Sequence, residues 1–270
     1  MKQPIGIFDS GVGGLTVYNS IRKHFPYEDL IYFGDTARVP YGPKSPNTII
    51  DYSLQNARFL LQHNIKILVV ACNTSSAYAL PHLSNLSDIP IISVIDPGAR
   101  QAVTLSQKSR IGVIGTEGTI RSGAYTSEIL KLNPQTQIWA VACPLFVPIV
   151  EEGWQDSQVA YDIANHYLSF FNDKEIDVLI LGCTHYPLLK NTIQQVIGSS
   201  VTLVDSAEAI ANYLCDYVDR DRYEVPGKDR FFVSDNEDKF ARLAERILVN
   251  HPSYLKRVRL YESWFVDSTV

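Results

Sequence analysis

Short apolar runs rich in β-branched residues recur along the chain, and turn residues follow most of them. Runs that are apolar throughout, rather than alternating, are typical of strands buried on both faces of a sheet. The pattern predicts eight such strands, over residues 4–9, 29–35, 65–71, 89–95, 110–115, 136–142, 176–182 and 201–205. Between several of them, apolar residues recur at intervals of three and four, which predicts helices over 15–25, 48–64 and 159–172. Strands that alternate with helices indicate the α/β class, with mainly parallel sheets flanked by helices.

The sequence also repeats itself. Four segments of its first part recur in the same order in its second part, at offsets of between 106 and 111 residues. The matched pairs are 5–10 with 111–116, Val39-Pro40 with Val147-Pro148, 65–72 with 176–183, and 94–96 with 203–205. One such likeness between buried strands carries little weight, but four in a constant order predict two similar, pseudo-symmetric α/β domains. We expect the active site in the cleft between them.

The repeat ends near residue 205 and leaves a C-terminal segment of about 65 residues. Its pattern predicts a helix over 207–219, a strand at RFFVSDN (230–236) and a helix over 238–250. We expect this segment to return to the first half. Residues 1–97 with 206–270 would then form the first domain and residues 98–205 the second, with hinges near Pro97-Gly98 and Asp205-Ser206.

Composition narrows the class of partner. The net charge is −5, and the chain has no long basic block, which argues against nucleic acid or an anionic membrane as a partner. The N-terminus reaches proline and glycine too early for a signal peptide. The longest apolar run, near 140–150, is too short to span a bilayer and contains two prolines. We therefore expect a cytoplasmic protein.

Cysteine is scarce, with residues only at positions 72, 143, 183 and 215, and no C-x-x-C spacing indicates a zinc ribbon or a thioredoxin-like motif. We expect free thiols in a reducing cytosol and interpret Cys143 and Cys215 as structural. Cys72 and Cys183 differ from these because each ends one of two matched strands and precedes residues typical of helix starts. A helix N-terminus favours the thiolate, so we expect a lowered pKa at both.

Two thiols on opposite walls of one cleft suit a particular reaction. One thiol can remove a proton from one face of a carbon while the other delivers a proton to the opposite face, which inverts the stereocentre. The carboxyl ends of strands in open α/β sheets are where ligands bind, and Cys72 and Cys183 both lie there.

Six segments, IGIFDSGVGGLTV, GDTARVPYG, VVACNTSSA, IGVIGTEGTI, CPLFVPIVEEG and LILGCTHYPLL, resemble the motif series of the glutamate racemases in the aspartate/glutamate racemase superfamily. The resemblance spans nearly the whole chain in the family's order. Ser75-Ser76 departs from it, since one alanine is expected there, and about 50 C-terminal residues match loosely.

The resemblance implies roles for particular residues. Cys72 and Cys183 would be the acid/base thiols, with Asp9 assisting the first and His185 the second, and Glu151 would be a further acidic helper beside Cys183. The residues implied to bind the substrate are Asp9, Ser10, Tyr41, Gly42, Asn73, Thr74, Thr116, Thr119, Thr184 and His185. The family further implies no cofactor and no metal, glutamate as the small-molecule substrate, D-glutamate production for peptidoglycan, and a homodimer.

The residue types agree with these roles. Hydroxyls, amides and helix-start N–H groups bind carboxylates and can stabilise charge that develops during proton removal. Pyridoxal phosphate would need a Schiff-base lysine, and the candidates Lys66 and Lys190 fall at ordinary surface positions of a strand start and a helix.

Alternatives stay open at this point. The same fold could serve an aspartate racemase or a related isomerase, and a non-catalytic amino-acid sensor would need only the cleft. Cys72, Cys183, His185 and Asp9 could instead converge on zinc. The stretch 11–16 has threonine where the last glycine of a dinucleotide motif belongs and no Walker lysine follows, so we interpret it as a tight strand-to-helix turn.

Overall fold

The computed structural model describes residues 2–219, 224–248 and 252–260. Within these residues, ten strands form two sheets. The strands are β1 Ile5–Asp9, β2 Leu30–Gly34, β3 Ile67–Val70, β4 Ile91–Ser93, β5 Arg110–Gly115, β6 Gln137–Ala142, β7 Val178–Gly182, β8 Thr202–Asp205, β9 Asp229–Val233 and β10 Leu255–Arg257. The helices are α1 Leu15–His24, α2 Pro46–Leu61, α3 Asn73–Leu83, α4 Ile95–Leu105, α5 Glu117–Ser122, α6 Ala124–Leu132, α7 Phe146–Glu151, α8 Gln158–Leu168, α9 Lys190–Ile197, α10 Ser206–Tyr213 and α11 Glu237–Ala244.

Both sheets are parallel. The first has the order β10-β9-β2-β1-β3-β4 and the second the order β6-β5-β7-β8. The predicted α/β class with mainly parallel sheets is confirmed. All eight strands predicted before residue 206 are present, although the one over 89–95 shortens to Ile91–Ser93.

The internal repeat corresponds to a repeated topology. The order β2-β1-β3-β4 in the first sheet matches the order β6-β5-β7-β8 in the second. Ile5 pairs with Ile67, and the residues that the repeat matches to them, Ile111 and Val178, pair with each other. The first and third matches read from the sequence therefore align equivalent strands.

The fourth match is wrong by three residues. Val70 pairs with Ser93, and the residue matched to Val70, Leu181, pairs with Asp205. Ser93, rather than residue 96, is therefore the counterpart of Asp205. The error arises because β4 ends in Ser93, whereas the apolar–acidic pattern that resembles residues 203–205 lies three residues further on, where α4 begins at Ile95.

Helices cover both faces of each sheet. In the first sheet, Ile7 and its neighbours pack with α1, α10 and α11, whereas Phe8 and its neighbours pack with α2 and α3. In the second sheet, Val113 faces α4 and α6, whereas Ile114 faces α7, α8 and α9. Burial on both faces explains why these strands are apolar throughout.

The C-terminal segment returns to the first sheet, where β9 pairs with β2 and β10 pairs with β9. The helix predicted over 207–219 gives way to a 3-10 turn after Tyr213, and the helix predicted over 238–250 begins at Glu237 and ends at Ala244. Residues 249 and 250 of that prediction lie outside the described residues.

Helix α4 spans the expected boundary between residues 97 and 98, and Ala99 and Ala102 are buried with the second sheet. The division into two domains stays a prediction. In the part of the chain that the structure describes, no helix combines the length and apolar character needed to cross a membrane.

Candidate active site

Cys72 lies just beyond β3 and is the N-cap of α3, where its Sγ accepts a hydrogen bond of 3.5 Å from the Ser75 N–H. The side chain is only 5% exposed. Burial raises the pKa of Cys72 to about 11, the charge of Asp9 adds to the increase, and bonds from Ser75 and Ser10 oppose it. The expected lowering by the helix N-terminus is thus wrong for Cys72, because the loss of hydration outweighs the dipole.

Cys183 follows β7 at the matched position and is also 5% exposed. It does not begin an α-helix, since Tyr186–Leu189 form a 3-10 turn and α9 begins only at Lys190. The residues after Cys183, which are typical of a helix start, therefore lead into a short 3-10 turn rather than directly into an α-helix. The neighbour of the sulfur is the imidazole of His185, whose Nδ1 lies 3.9 Å from Cys183 Sγ.

His185 connects Cys183 to Glu151. Its Nε2 lies 3.3 Å from Glu151 Oε1, and the ring is buried. Burial lowers the pKa of His185, but bonds to Cys183 and Glu151 and the charge of Asp9 outweigh this and raise it to about 10. The same bond lowers the pKa of the Glu151 carboxyl. At neutral pH the pair is therefore an imidazolium and a carboxylate.

Asp9 ends β1 and is fully buried. Its Oδ2 accepts hydrogen bonds of 3.0 Å from the N–H groups of Gly11 and Gly14, and its Oδ1 accepts one of 3.3 Å from the Thr184 hydroxyl. Burial raises the pKa of Asp9, although the charge of His185 and these bonds lower it. Since Asp9 acts on the pKa of Cys72 as well as of His185, its charge reaches both halves of the site.

The glycine-rich turn after Asp9 allows the two halves to approach each other. A Cβ at Gly13 would lie 2.4 Å from His185 Nδ1 and 2.5 Å from Thr184 Oγ1. A Cβ at Gly14 would lie 2.4 Å from the Cβ of Asp9. The turn predicted from the sequence is present, and the approach that requires Gly13 is to the second half of the chain.

Three threonine hydroxyls meet between the halves. Thr74 Oγ1 of α3 lies 2.8 Å from Thr116 Oγ1 and 3.3 Å from Thr119 Oγ1, and the last two are 3.0 Å apart. Beside them, the Gly118 N–H donates a hydrogen bond of 2.9 Å to the Gly42 carbonyl. Thr74 and Gly42 come from the first half and Thr116 and Thr119 from the second, so four residues implied by the resemblance lie together.

Two other residues implied by the resemblance have different surroundings. Asn73 is buried beside Cys72, and its Oδ1 accepts a hydrogen bond of 2.7 Å from Tyr125 of α6. The hydroxyl of Tyr41 bonds to Asp35 and accepts a hydrogen bond of 3.0 Å from Asn56. The Tyr41 hydroxyl is therefore engaged within the first half.

Sequence reasoning missed the buried ion pair that holds the loop after β2. Arg38 Nε lies 2.6 Å from Asp35 Oδ2, and Ser234 of the C-terminal segment donates a hydrogen bond of 2.8 Å to Asp35 Oδ1. This loop carries Tyr41 and Gly42. The sequence signal that could have indicated this pair is the spacing of Asp35 and Arg38, two opposite charges three residues apart in GDTARVPYG.

A cavity of about 400 Å³ opens at the mouth of the cleft. Both halves line it, with Val39, Pro40, Gly42 and Pro43 from the first and Thr116, Glu117, Pro144, Val147, Pro148, Glu151 and Glu152 from the second. The two Val-Pro pairs of the repeat thus meet at one cavity. Their local structures differ, because the Val39-Pro40 peptide is cis whereas Val147-Pro148 belongs to α7.

The zinc alternative finds no support in the geometry. Among residues 2–219, 224–248 and 252–260, no three histidine, cysteine, aspartate or glutamate side chains converge as a metal-binding group. Of the candidate ligands, Cys183 and His185 lie in a chain that ends at Glu151, Asp9 accepts from Thr184, and Cys72 accepts from the Ser75 N–H.

A duplicated α/β fold with a buried thiol beyond each matched strand, and with acids and an imidazolium around them, has the features of an isomerase that moves protons at one carbon. The family model described as Asp/Glu/Hydantoin racemase matches residues 5–214, and the chain belongs to this family. The resemblance read from the motifs, and with it the prediction of a racemase, is confirmed.

Individual relatives agree with the family assignment. A glutamate racemase from Geobacter metallireducens is 53% identical over 248 residues, which cover 90% of this chain and 92% of the relative. The crystal structure of a glutamate racemase isoform from Bacillus anthracis has a TM-score of 0.92 at 38% identity. The match covers 96% of this chain and 98% of that one. The crystal structure of Francisella tularensis glutamate racemase, solved in complex with D-glutamate, has a TM-score of 0.90 at 37% identity. The match covers 97% of this chain and 99% of that one.

Proposed function

We propose that this chain interconverts L-glutamate and D-glutamate by proton transfer at the α-carbon between Cys72 and Cys183. The observation that carries the proposal is the equivalent position of the two cysteines beyond β3 and β7, which have the same place in the two sheets. The glutamate racemases among its relatives support glutamate over aspartate as the substrate.

In one direction of the reaction, Cys183 is the base and Cys72 is the acid. Cys183, as thiolate, takes the α-proton, and the C–H electron pair stays on the substrate. The α-carbon then takes the proton of Cys72 on its opposite face, which leaves a thiolate at Cys72 and a thiol at Cys183. The raised pKa of Cys72, about 11, supports its role as the initial proton donor at neutral pH. In the other direction the two thiols exchange roles.

His185 and Asp9 assist this transfer. The imidazolium of His185 places a positive charge beside Cys183 Sγ, and Glu151 keeps that ring charged. Asp9 acts on Cys72 through its charge. A buried site strengthens each of these interactions, since little water is present to screen them.

Neutral donors would hold the substrate carboxylate. Thr74, Thr116 and Thr119 form one group of hydroxyls between the halves, and Asn73 and Ser10 lie beside Cys72. Such donors stabilise the negative charge that develops on the carboxylate when the α-proton leaves. This explains how proton removal would proceed with no cofactor.

The proposal extends to the setting of the enzyme. Residues 1–97 with 206–270 form one domain and residues 98–205 the other, with α4 as the connecting element. The protein works in the cytoplasm as a homodimer and supplies D-glutamate for peptidoglycan. The family resemblance supports these points.

An exchange experiment in D₂O tests the proposal. L-Glutamate should yield D-glutamate that carries deuterium at the α-carbon, as read by mass spectrometry and chiral chromatography.

Cys72→Ser and Cys183→Ser should each lower kcat by a factor on the order of 100 to 10,000, the usual contribution of a positioned acid or base. Cys215→Ser, at a half-buried position in a 3-10 turn, is the control and should keep normal turnover. Near-normal turnover by either active-site variant, or faster conversion of aspartate than of glutamate, contradicts the proposal.

A further inference from the structure

Tyr125 of α6 lies between residues adjacent to both thiols. Its ring is 3% exposed and packs where a Cβ on Gly182, the residue before Cys183, would come within 3.0 Å of Tyr125 Cε2. Its hydroxyl reaches the other half of the chain and donates a hydrogen bond of 2.7 Å to Oδ1 of Asn73, the residue after Cys72. The glycine at 182 therefore leaves room for a tyrosine that contacts the first half beside Cys72.

The bond from Tyr125 determines which way the Asn73 amide faces. A carboxamide has one accepting end and one donating end, and its orientation is set by its partners. Because the Tyr125 O–H donates to Oδ1, the NH₂ group of Asn73 must point away from Tyr125. Without this bond, the amide could rotate and present either end.

The NH₂ group of Asn73 has no partner in the part of the chain that the structure describes. The side chain is 2% exposed, and its Nδ2 has no hydrogen bond to any of the described residues. A buried donor left unpaired is destabilising, so an acceptor from a ligand is expected to complete it. Asn73 lies between Cys72 and Thr74 in the chain, which puts this donor among the groups proposed to bind substrate.

We infer that Tyr125 is a positioning residue that holds the Asn73 amide with its NH₂ group toward a substrate carboxylate oxygen. Tyr125 itself contacts no substrate and acts through Asn73. The inference rests on the proposed function for the identity of the carboxylate, but it concerns a residue outside the set implied by the family resemblance.

A double-mutant cycle with binding and kinetic measurements tests this inference. Tyr125→Phe keeps the ring and removes the hydroxyl. We expect KM for both glutamate enantiomers to rise about ten-fold, the value of one hydrogen bond to a charged group, with a smaller change in kcat. In the Asn73→Ala background, Tyr125→Phe should have no further effect on KM, because the residue through which Tyr125 acts is gone.

Ser206→Ala is the matched control. The Ser206 hydroxyl also contacts the Tyr125 hydroxyl, but its loss leaves the bond to Asn73 in place. We expect an unchanged KM in this variant. If Ser206→Ala raises KM as much as Tyr125→Phe does, or if the effects of Tyr125→Phe and Asn73→Ala add in full, Tyr125 has only a general structural role and the inference is wrong.

Calorimetric titration with D-glutamate separates this inference from the proposed function. A wild-type protein that binds D-glutamate but does not racemise it refutes the proposed function alone. The inference is then decided by comparing the dissociation constants of D-glutamate for wild type and for Tyr125→Phe. An about ten-fold weaker complex with Tyr125→Phe supports the inference, and equal affinities refute it. A wild-type protein that binds no glutamate contradicts both.

Discussion

Thr184 of the second half donates a hydrogen bond of 3.3 Å to Asp9 of the first half. The carbonyl of Thr184 also accepts a hydrogen bond of 2.9 Å from the hydroxyl of Thr16, so the residue after Cys183 is attached to the first half twice. Asp9 in turn affects the pKa of Cys72 and of His185. The two sides of the site are thus connected both by hydrogen bonds and by charge, and a change on one side is expected to alter the other.

Gly13→Ala tests the close approach of the halves. The added Cβ would lie 2.4 Å from His185 Nδ1, so the ring must move away from its place beside Cys183. We expect kcat/KM to fall about 100-fold, since displacements of about 1 Å have effects of this size. Ser20→Ala, at a half-buried position of α1, is the control. Steady-state kinetics of both variants suffice, and normal activity in Gly13→Ala contradicts the prediction.

Glu151→Gln tests the origin of the charge on His185. The Glu151 carboxylate is one of the groups that raise the pKa of His185 to about 10, so its loss should lower that pKa. The alkaline limb of the kcat/KM profile should move to lower pH, and NMR titration of the ring should show the same change. Glu152→Gln, at the exposed next residue, is the control. Identical titration curves for wild type and Glu151→Gln would falsify the assignment.

Asp9→Asn should stabilise the protein at neutral pH while impairing activity. Burial raises the pKa of Asp9 above 3.8, so the folded state holds the proton more tightly than the unfolded state does. Stability due to this group therefore falls as pH rises from 3.8 through the folded pKa. Asparagine cannot ionise, so we expect a higher free energy of unfolding for Asp9→Asn than for wild type near pH 7.5.

Thermal unfolding measures this effect. The gain should appear as a higher Tm at pH 7.5, and it should largely disappear well below pH 3.8, where Asp9 is protonated in both the folded and the unfolded state. Asp51→Asn, at an exposed position of α2, is the control and should change Tm little at either pH. A variant Asp9→Asn that is less stable than wild type at pH 7.5 goes against the prediction.

Asp35→Asn should destabilise the first half. Asp35 is fully buried and accepts bonds from Arg38, Tyr41 and Ser234, so its neutralisation removes a buried carboxylate that lies against the Arg38 guanidinium. We expect a loss of about 3 kcal/mol in the free energy of unfolding, measured by urea denaturation.

Asp96→Asn is the matched control for that experiment. Asp96 also pairs with an arginine, but the side chain of Arg100 is 54% exposed, and a pair in water contributes at most about 1 kcal/mol. Equal losses in the two variants would show that burial of the Asp35 pair has no energetic weight.

The strands and the repeat could be predicted from the sequence because their cause is local. A strand buried on both faces must be apolar along its length, and the segments 65–72 and 176–183 preserve this pattern in both halves. The same likeness misled at residues 94–96, where a short strand gives way to α4 almost at once.

The contacts between the halves could not be predicted in this way. Neither the approach of Gly13 to His185 nor the bond from Tyr125 to Asn73 leaves a trace in the local pattern, because each depends on how the halves dock. The pKa of Cys72 was misjudged for a related reason. The sequence shows that a helix begins there, whereas the burial that outweighs the dipole is a property of the assembled fold.

The return of the C-terminal segment has a consequence for synthesis on the ribosome. Strand β2 pairs with β9, so Gly34 has no strand partner on that side until Val233 has been synthesised. The four strands of the second sheet lie between these two residues and can all be made, paired and packed in the interval. Strand β2 is therefore an unpaired edge of the first sheet while the second sheet already has all four of its strands, and such an edge exposes a nascent chain to pairing with the wrong partner. Premature termination before β9 would leave that edge permanently uncovered.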